Sequence, residues 1–273
     1  MAKEIQLSAA VRENLLALQG TQSLIARTQN RLSTGLKVAS PIDDPRVFFE
    51  AKSLTDHGRD VGEKKEGVDQ SISSVQTALG AIEGVDALVQ QMKGLTISAR
   101  TATGNELAAI VAQFNELRTQ INNLTNDAKY QGVNLINGTG TQLTVEFSTD
   151  TTSILTISSV DLRVGSLGLN ISSALSFSLA SVLDASLAQI TSAIGTLRGK
   201  AQSLASNVAI LKTRLDFNAV YVNLHEEGAG KLNLANVTEE GAKLVALQTR
   251  QQLGINALAF AGQAEQQILT LFR

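Results

Sequence analysis

The chain has 273 residues, of which 23 are basic, 25 are acidic and 2 are histidine, so its net charge is -2. This balance argues against a protein that binds nucleic acid through the phosphates. Cysteine is absent, which excludes disulfides, iron–sulfur clusters, thiolate zinc sites and cysteine nucleophiles. No apolar run reaches the roughly 18 residues of a membrane span, so we expect no membrane insertion.

The first predicted element is a long helix. Near the N-terminus, residues recur at alternating spacings of four and three, which is typical of one helix face. This row consists of Val11, Leu15, Leu18, Gln22, Ile25, Gln29 and Leu32. The row stops before Gly35, and glycine readily adopts the left-handed conformation with which many helices end.

A second helix is predicted over about 45–100, with Asp44 as its N-cap and Pro45 at its first position. At 1.5 Å per residue it would be roughly 80 Å long, so it needs a bundle partner. Its row is Val68, Ile72, Val75, Leu79, Ile82 and Val89. A third helix, over about 105–129, follows with Leu107, Ile110, Phe114, Leu117, Ile121 and Leu124.

The pattern then changes, and we predict a small β element over about 134–180. Asn137 and Gly138 indicate a turn, and Leu143, Val145 and Phe147 alternate with polar residues. A second apolar segment begins at Ile154 after a Ser/Thr-rich turn. Together these segments predict a β-hairpin.

Two more helices complete the predicted fold. One spans about 180–225 and fades at the glycine-rich segment 226–230. The last begins near Thr238, and its predicted row is Leu253, Ala257, Phe260, Ala264, Ile268 and Leu271. The expected fold is mainly α, a coiled-coil hairpin of long helices with a small β-hairpin element.

The chain offers little for catalysis. The acidic pairs 43–44 and 226–227 flank helix boundaries, where capping or solvation explains them. His57 and His225 are far apart in sequence, and no metal or phosphate-loop motif is present. We therefore expect no enzyme activity, no metal and no cofactor.

Three segments resemble the bacterial flagellins. Residues 31–40 read Arg-Leu-Ser-Thr-Gly-Leu-Lys-Val-Ala-Ser and precede two aspartates, as in the flagellin N-terminal signature. Residues 130–136 read Tyr-Gln-Gly-Val-Asn-Leu-Ile, and residues 247–273 resemble the flagellin C-terminus. The short chain and its prolines, Pro41 and Pro45, resemble α-proteobacterial members.

The resemblance implies a structural subunit of the flagellar filament that drives motility. Residues 1–43 and 236–273 would pair as an inner core domain, and residues 44–235 would form an outer core domain. The implied polymerisation interface comprises Val11, Leu15, Leu18, Ile25, Leu32, Leu253, Ala257, Phe260, Ala264, Ile268 and Leu271.

It also implies partners and a location. The partners would be further copies in a helical homopolymer, alone or mixed with other flagellins, the flagellar export apparatus, an export chaperone, and the filament cap and hook-junction proteins. The subunit would be exported unfolded through the type III apparatus, without a cleaved signal peptide, to the extracellular filament.

Flagellins that the flagellin-sensing Toll-like receptor recognises carry Arg-x-Arg-Glu-Leu on the long outer helix. The matching residues here are Gln91, Met92, Lys93, Gly94 and Leu95. The first arginine is replaced by a neutral residue and the glutamate by glycine. We therefore expect weak recognition, because two charge-assisted contacts are lost.

Two other functions remain open. A hook–filament junction protein of the same superfamily would share the end helices. A lipid-binding protein built from amphipathic helices would also have long apolar rows, but it should carry interfacial tryptophan and flanking basic residues. This chain has no tryptophan.

Overall fold

A computed structural model describes residues 9–174 and 176–271. Within these ranges, five helices and four short strands follow one another in the order α1 Ala9–Thr34, α2 Pro45–Ser98, α3 Gly104–Asp127, β1 Lys129–Tyr130, β2 Val133–Asn134, β3 Gln142–Glu146, β4 Ile154–Ser158, α4 Ala180–Asn233 and α5 Val237–Leu271. The prediction of a mainly helical fold with a small β element is confirmed.

The start of α2 has the predicted cap. The Val47 amide donates to Asp44 Oδ1 at 3.1 Å, and Pro45 occupies the first helical position. The preceding Asp43 carboxylate accepts hydrogen bonds from the amide and hydroxyl of Ser40, which lower the pKa of Asp43. Both acids therefore stabilise the turn into the helix.

The chain divides into two compact units, and the division falls inside α2 and α4. The first unit comprises residues 9–56 and 224–271 of the described chain, and the second comprises 57–174 and 176–223. Assigning these units to an inner and an outer core domain remains a prediction.

The second unit has a continuous apolar core. Buried residues of α2, α3, the β3–β4 hairpin, the irregular segment 161–177 and α4 form one cluster. Phe114 and Phe177 meet edge to face at its centre, with ring centroids 5.1 Å apart. Because α2, α3 and α4 each turn one face into this core, the core determines which face of each helix is exposed.

The irregular segment is held by one polar face of α3. Asn115 exchanges two hydrogen bonds with the backbone of Ala174, at 2.8 and 3.1 Å. Arg118 Nε donates to the Ile171 carbonyl oxygen, and Asn122 Oδ1 accepts from the Val164 amide. These side chains pair buried backbone groups that no strand satisfies.

The predicted hairpin is formed by β3 and β4, which are antiparallel, with Leu143 opposite Ile157 and Val145 opposite Leu155. A second hairpin, β1–β2, lies where the third helix was predicted to end and before the predicted β element. Its turn residues Gln131 and Gly132 have φ of 48° and 83°, which suits a tight two-residue hairpin turn.

The predicted end of α4 near residue 225 is wrong, because α4 continues to Asn233. Gly228 and Gly230 lie inside the helix, where each glycine costs roughly 1 kcal/mol of helix stability relative to alanine. Here Ala229 between them is buried, and Glu227 pairs with Lys231 one turn later. Packing and this ion pair support the helix through the glycines.

Candidate functional site

The terminal helices α1 and α5 pack against each other in opposite directions. Leu18 meets Gly254, Gln251 Nε2 donates to Gln22 Oε1 at 2.6 Å, and Arg31 Nη1 lies 3.3 Å from Glu240 Oε1. Each step toward the C-terminus of α1 is therefore matched by a step toward the N-terminus of α5. The pair is an antiparallel helical hairpin in one continuous register.

The connections at one end of this pair are fixed by backbone bonds. The Lys37 amide donates to the Asn233 carbonyl at 2.7 Å, and the Ala235 amide donates to the Gly35 carbonyl at 2.8 Å. Gly35 ends α1 with φ of 70°, as predicted. Asn236 Oδ1 accepts from the amides at the start of α5 and serves as its N-cap.

The face of α1 that meets α5 differs from the predicted row. Val11 and Ile25 are buried, and Leu18 and Leu32 are half-buried, as expected. However, Thr21 and Thr28 are buried on this face, whereas Leu15 and the two predicted glutamines are exposed. Thr21 Oγ1 donates to the Ala17 carbonyl at 2.9 Å, so its hydroxyl is satisfied within the helix.

The face of α5 that meets α1 also differs from the predicted row. We call it the α1-facing row. Its members are the buried Glu240 and the half-buried Leu244, Leu247, Gln251, Gly254, Leu258 and Ala261. These residues follow the same alternation of four and three, so the pattern could have been found in the sequence. The polar residues and the glycine in it concealed it.

The α5 residues predicted for the polymerisation interface form a separate row, which we call the exposed row. Leu253, Ala257, Phe260 and Ala264 are all exposed, Leu253 by 63% and Phe260 by 71%. The side chains of Ile268 and Leu271 lie outside the described part of the chain. Successive residues are about 100° apart, so Leu253 and Phe260 lie more than about 120° around α5 from the centre of the α1-facing row.

Charges fix the pair at one end. Glu240 is 5% exposed and lies near both Arg31 and Lys243. The neighbouring Glu239 accepts a hydrogen bond from Lys243 at 2.8 Å, which lowers the pKa of Glu239. Acidic residues in the first turn of α5 also interact favourably with the helix N-terminus.

The five residues that match the receptor motif in sequence, 91–95, lie on α2. Met92 is buried in the core, whereas Gln91 and Gly94 are exposed and Lys93 and Leu95 are half-buried. Between α2 and α3 a groove of about 520 Å³ passes Gly94; we call it the α2–α3 groove. Its lining consists of Gln91, Gly94, Leu95, Gln113, Glu116 and Leu117.

The described residues contain no group of three or more His, Asp or Glu side chains placed to hold a metal ion. Within the same ranges, no helix carries a stretch apolar and long enough to cross a bilayer.

Comparisons with known proteins agree with this description. The family model for the bacterial flagellin N-terminal helical region matches residues 6–141. Flagellin FljM of Caulobacter vibrioides is 32% identical over 264 residues, covering 95% of this chain and 96% of its own. Flagellin FljK of the same species is 30% identical over 98% of both chains, and a Brucella melitensis flagellin is 28% identical over 95% of both.

Among solved structures, a flagellar hook-associated protein from Vibrio parahaemolyticus superposes with a TM-score of 0.61. The match covers 70% of this chain and 100% of that chain at 12% identity, so it indicates a shared fold alone. The relatives' identity over nearly the whole length decides the family. The chain belongs to the bacterial flagellins.

Proposed function

We propose that this flagellin is a structural subunit of the bacterial flagellar filament and that it polymerises through the α1–α5 pair. The observation that carries the proposal is that α5 is apolar on two sides. Its α1-facing row is covered by the same chain, and its exposed row is covered by nothing in the described chain.

Isolated apolar side chains on a surface are ordinary, but a repeated row along one helix face marks a contact. Leu253 and Phe260 are two turns apart on such a row, with alanines at 257 and 264 that let another backbone approach. A neighbouring subunit that covers this row buries apolar surface at every step of the polymer.

In this proposal residues 1–43 and 236–273 form the inner core domain and residues 44–235 the outer one. The flagellar export apparatus, an export chaperone, the filament cap and the hook-junction proteins are the further partners. The protein acts outside the cell, in the filament, with a structural and not a catalytic role. The support is membership of the flagellin family.

The proposal is tested by removing apolar surface from the exposed row. We expect Leu253→Ala with Phe260→Ala to leave the second unit folded, since both residues lie in the first. Seeded filament growth, followed by light scattering and negative-stain microscopy, should stop. The matched control is Leu167→Ala, which truncates an 89% exposed leucine in the second unit and should not affect growth. Normal filaments from the double variant would contradict the proposal.

Receptor recognition forms a separate part of the proposal. Gln91 lacks the charge of arginine and Gly94 lacks a carboxylate, so we expect a weak response in cells that report Toll-like receptor activation. A Cβ added at Gly94 would meet no atom within 4 Å, so we expect Gln91→Arg with Gly94→Glu to restore the two charges without disturbing the fold. A strong response to the unaltered protein would contradict this part.

A hook–filament junction role is the second candidate, because the fold is shared with a hook-associated protein. Identity of 30–32% to two flagellins over 95–98% of the chain favours the filament subunit. The two roles differ in the length of the product, since a filament subunit grows long tubes from seeds.

A further inference from the structure

Residues 137 and 138 form the chain's one Asn-Gly pair, and such a pair is chemically reactive in an unfolded chain. The backbone amide nitrogen that follows an asparagine can attack the carbon of its side-chain amide. Glycine hinders this attack least, because it has no side chain and its backbone reaches the most conformations. We therefore expect an unfolded chain to lose the side-chain amide of Asn137 before that of any other asparagine.

The reaction needs only water as a co-reactant. The Gly138 nitrogen forms a bond to Asn137 Cγ, the bond from Cγ to Nδ2 breaks, and ammonia leaves with the proton of the Gly138 amide. The result is a five-membered succinimide ring. Water then opens the ring at one of its two carbonyl carbons. The product is aspartate at 137 or isoaspartate, in which the backbone runs through the former side chain.

The fold of the second unit holds both reacting groups. The Gly138 amide donates to the Val160 carbonyl oxygen at 3.0 Å, so the attacking nitrogen is engaged in a backbone hydrogen bond. Asn137 is 7% exposed, and its Oδ1 accepts a hydrogen bond from the Thr139 hydroxyl at 2.8 Å. The attack requires both bonds to break and the side chain to turn, so it requires local opening of the fold.

The same turn requires this reactive pair. Gly138 has φ of 67°, and a Cβ added there would lie 2.6 Å from Asp161 Cβ, so only glycine fits. Asn137 Oδ1 also lies 3.3 Å from the Thr139 amide nitrogen that donates to it, and a short side chain that bonds to the backbone two residues later is typical of turns. A less reactive residue at either position would therefore weaken the turn.

We propose that Asn137 is a site of spontaneous deamidation that the folded second unit keeps closed, so that deamidation there records the time a subunit spends unfolded. The product also damages the turn. Asn137 lies opposite Asp161 in an antiparallel bridge, and Arg163 already binds both carboxylate oxygens of Asp161. Aspartate at 137 places a like charge opposite Asp161, which destabilises a strand pair. The inference does not depend on the proposed filament function.

The first test compares the folded chain with the chain in concentrated urea, in the same mildly alkaline buffer. Trypsin cleaves after Lys129 and Arg163, so the peptide 130–163 contains Asn137 and also Asn134, which precedes a leucine and serves as an internal control. Fragment masses locate the conversion of amide to acid. We expect conversion at Asn137 in urea and conversion at least about tenfold slower in the folded chain, which corresponds to an opening free energy of about 1.4 kcal/mol or more. Equal rates in the two conditions, or conversion of Asn134 as fast as that of Asn137, would overturn the proposal.

The second test weakens the fold without changing the local sequence. Leu162 is fully buried, and its amide donates to the Ile136 carbonyl oxygen at 3.0 Å, next to the reactive pair. Leu162→Ala should raise the rate at Asn137 in the folded chain by on the order of tenfold and leave the rate in urea unchanged. Leu167→Ala makes the same change at an 89% exposed position and should change neither rate. An unchanged rate in folded Leu162→Ala would show that the fold does not protect the site.

The third test introduces the product directly. Asn137→Asp should lower the melting temperature of the second unit by about 2–4 °C, the effect of like charges that face each other across a strand pair. Gln76→Glu is the control, because it makes the same change of an amide to an acid at an exposed position of α2. If Asn137→Asp lowers the melting temperature no more than Gln76→Glu does, deamidation does not damage the turn and that part of the proposal is wrong.

Discussion

Gly254 sets the distance between the terminal helices, so Gly254→Ala is a stringent test of their packing. A Cβ there would lie 2.8 Å from Leu18 Cδ2 and 3.1 Å from Leu18 Cγ. Overfilling a packed contact costs about 1–3 kcal/mol. Replacing a helical glycine by alanine returns about 1 kcal/mol. The net change is a loss of stability between about 0 and 2 kcal/mol per subunit.

The assay is the concentration of free subunit in equilibrium with seeded filaments, measured after sedimentation. We expect the α1–α5 pair to gain helical order on polymerisation, so a loss in its packing weakens elongation. A loss of 2 kcal/mol then raises the free concentration about 30-fold, since about 1.4 kcal/mol corresponds to tenfold. Gly241→Ala is the control on the same helix, with nothing within 4 Å of its added Cβ. It should gain about 1 kcal/mol and lower the concentration about fivefold.

A third variant identifies the clash. Leu18→Ala removes the atoms that the new Cβ would meet, so Leu18→Ala with Gly254→Ala should be less damaging than the two single effects added together. If Gly254→Ala lowers the free concentration as much as Gly241→Ala does, Leu18 does not pack on Gly254 and the register of the α1–α5 pair is wrong.

Three further predictions concern order, packing and pH. Because only one side of α5 is covered in a single subunit, we expect far-UV circular dichroism to gain helical signal on polymerisation; an unchanged spectrum would argue against this. Asn115→Ala leaves the amide and carbonyl of the buried Ala174 unpaired, so the free energy of unfolding of the second unit should fall by about 1–3 kcal/mol. Denaturant unfolding measures this loss, and the exposed control Gln113→Ala should change the free energy little. The hydrogen bond from Arg163 lowers the pKa of Asp161 below its usual value of 3.8. The Asp161–Arg163 pair therefore stabilises the folded state above pH 3.8, and this stabilisation is lost as the pH falls through the lowered pKa. Melting temperatures between about pH 2 and 6 should therefore fall less steeply for Asp161→Asn than for the unaltered protein.

The long helices and the β3–β4 hairpin could be predicted because their core positions are large apolar residues at regular spacing. The end of α4 could not, because packing around Ala229 and the Glu227–Lys231 pair outweigh the local preference of the glycines. The β1–β2 hairpin has two-residue strands, too short for an alternating pattern to appear.

The candidate site illustrates a different limit. On α1, Thr21 and Thr28 are buried, whereas the predicted Gln22 and Gln29 beside them are exposed. The Thr21 hydroxyl is satisfied within its own helix, so its burial leaves no unpaired polar group. On α5, the larger apolar residues suggested one row, whereas the helix has two. Sequence spacing identifies rows on a helix, but only the structure indicates which row the same chain covers.

The most direct test of the central claim is electron cryomicroscopy of filaments grown from the purified protein, at a resolution that shows side chains. The account predicts that Leu253 and Phe260 contact a different subunit while Gly254 still packs on Leu18 of its own chain. A filament in which Leu253 and Phe260 face water, or in which the subunits join without contact between their terminal helices, would contradict it.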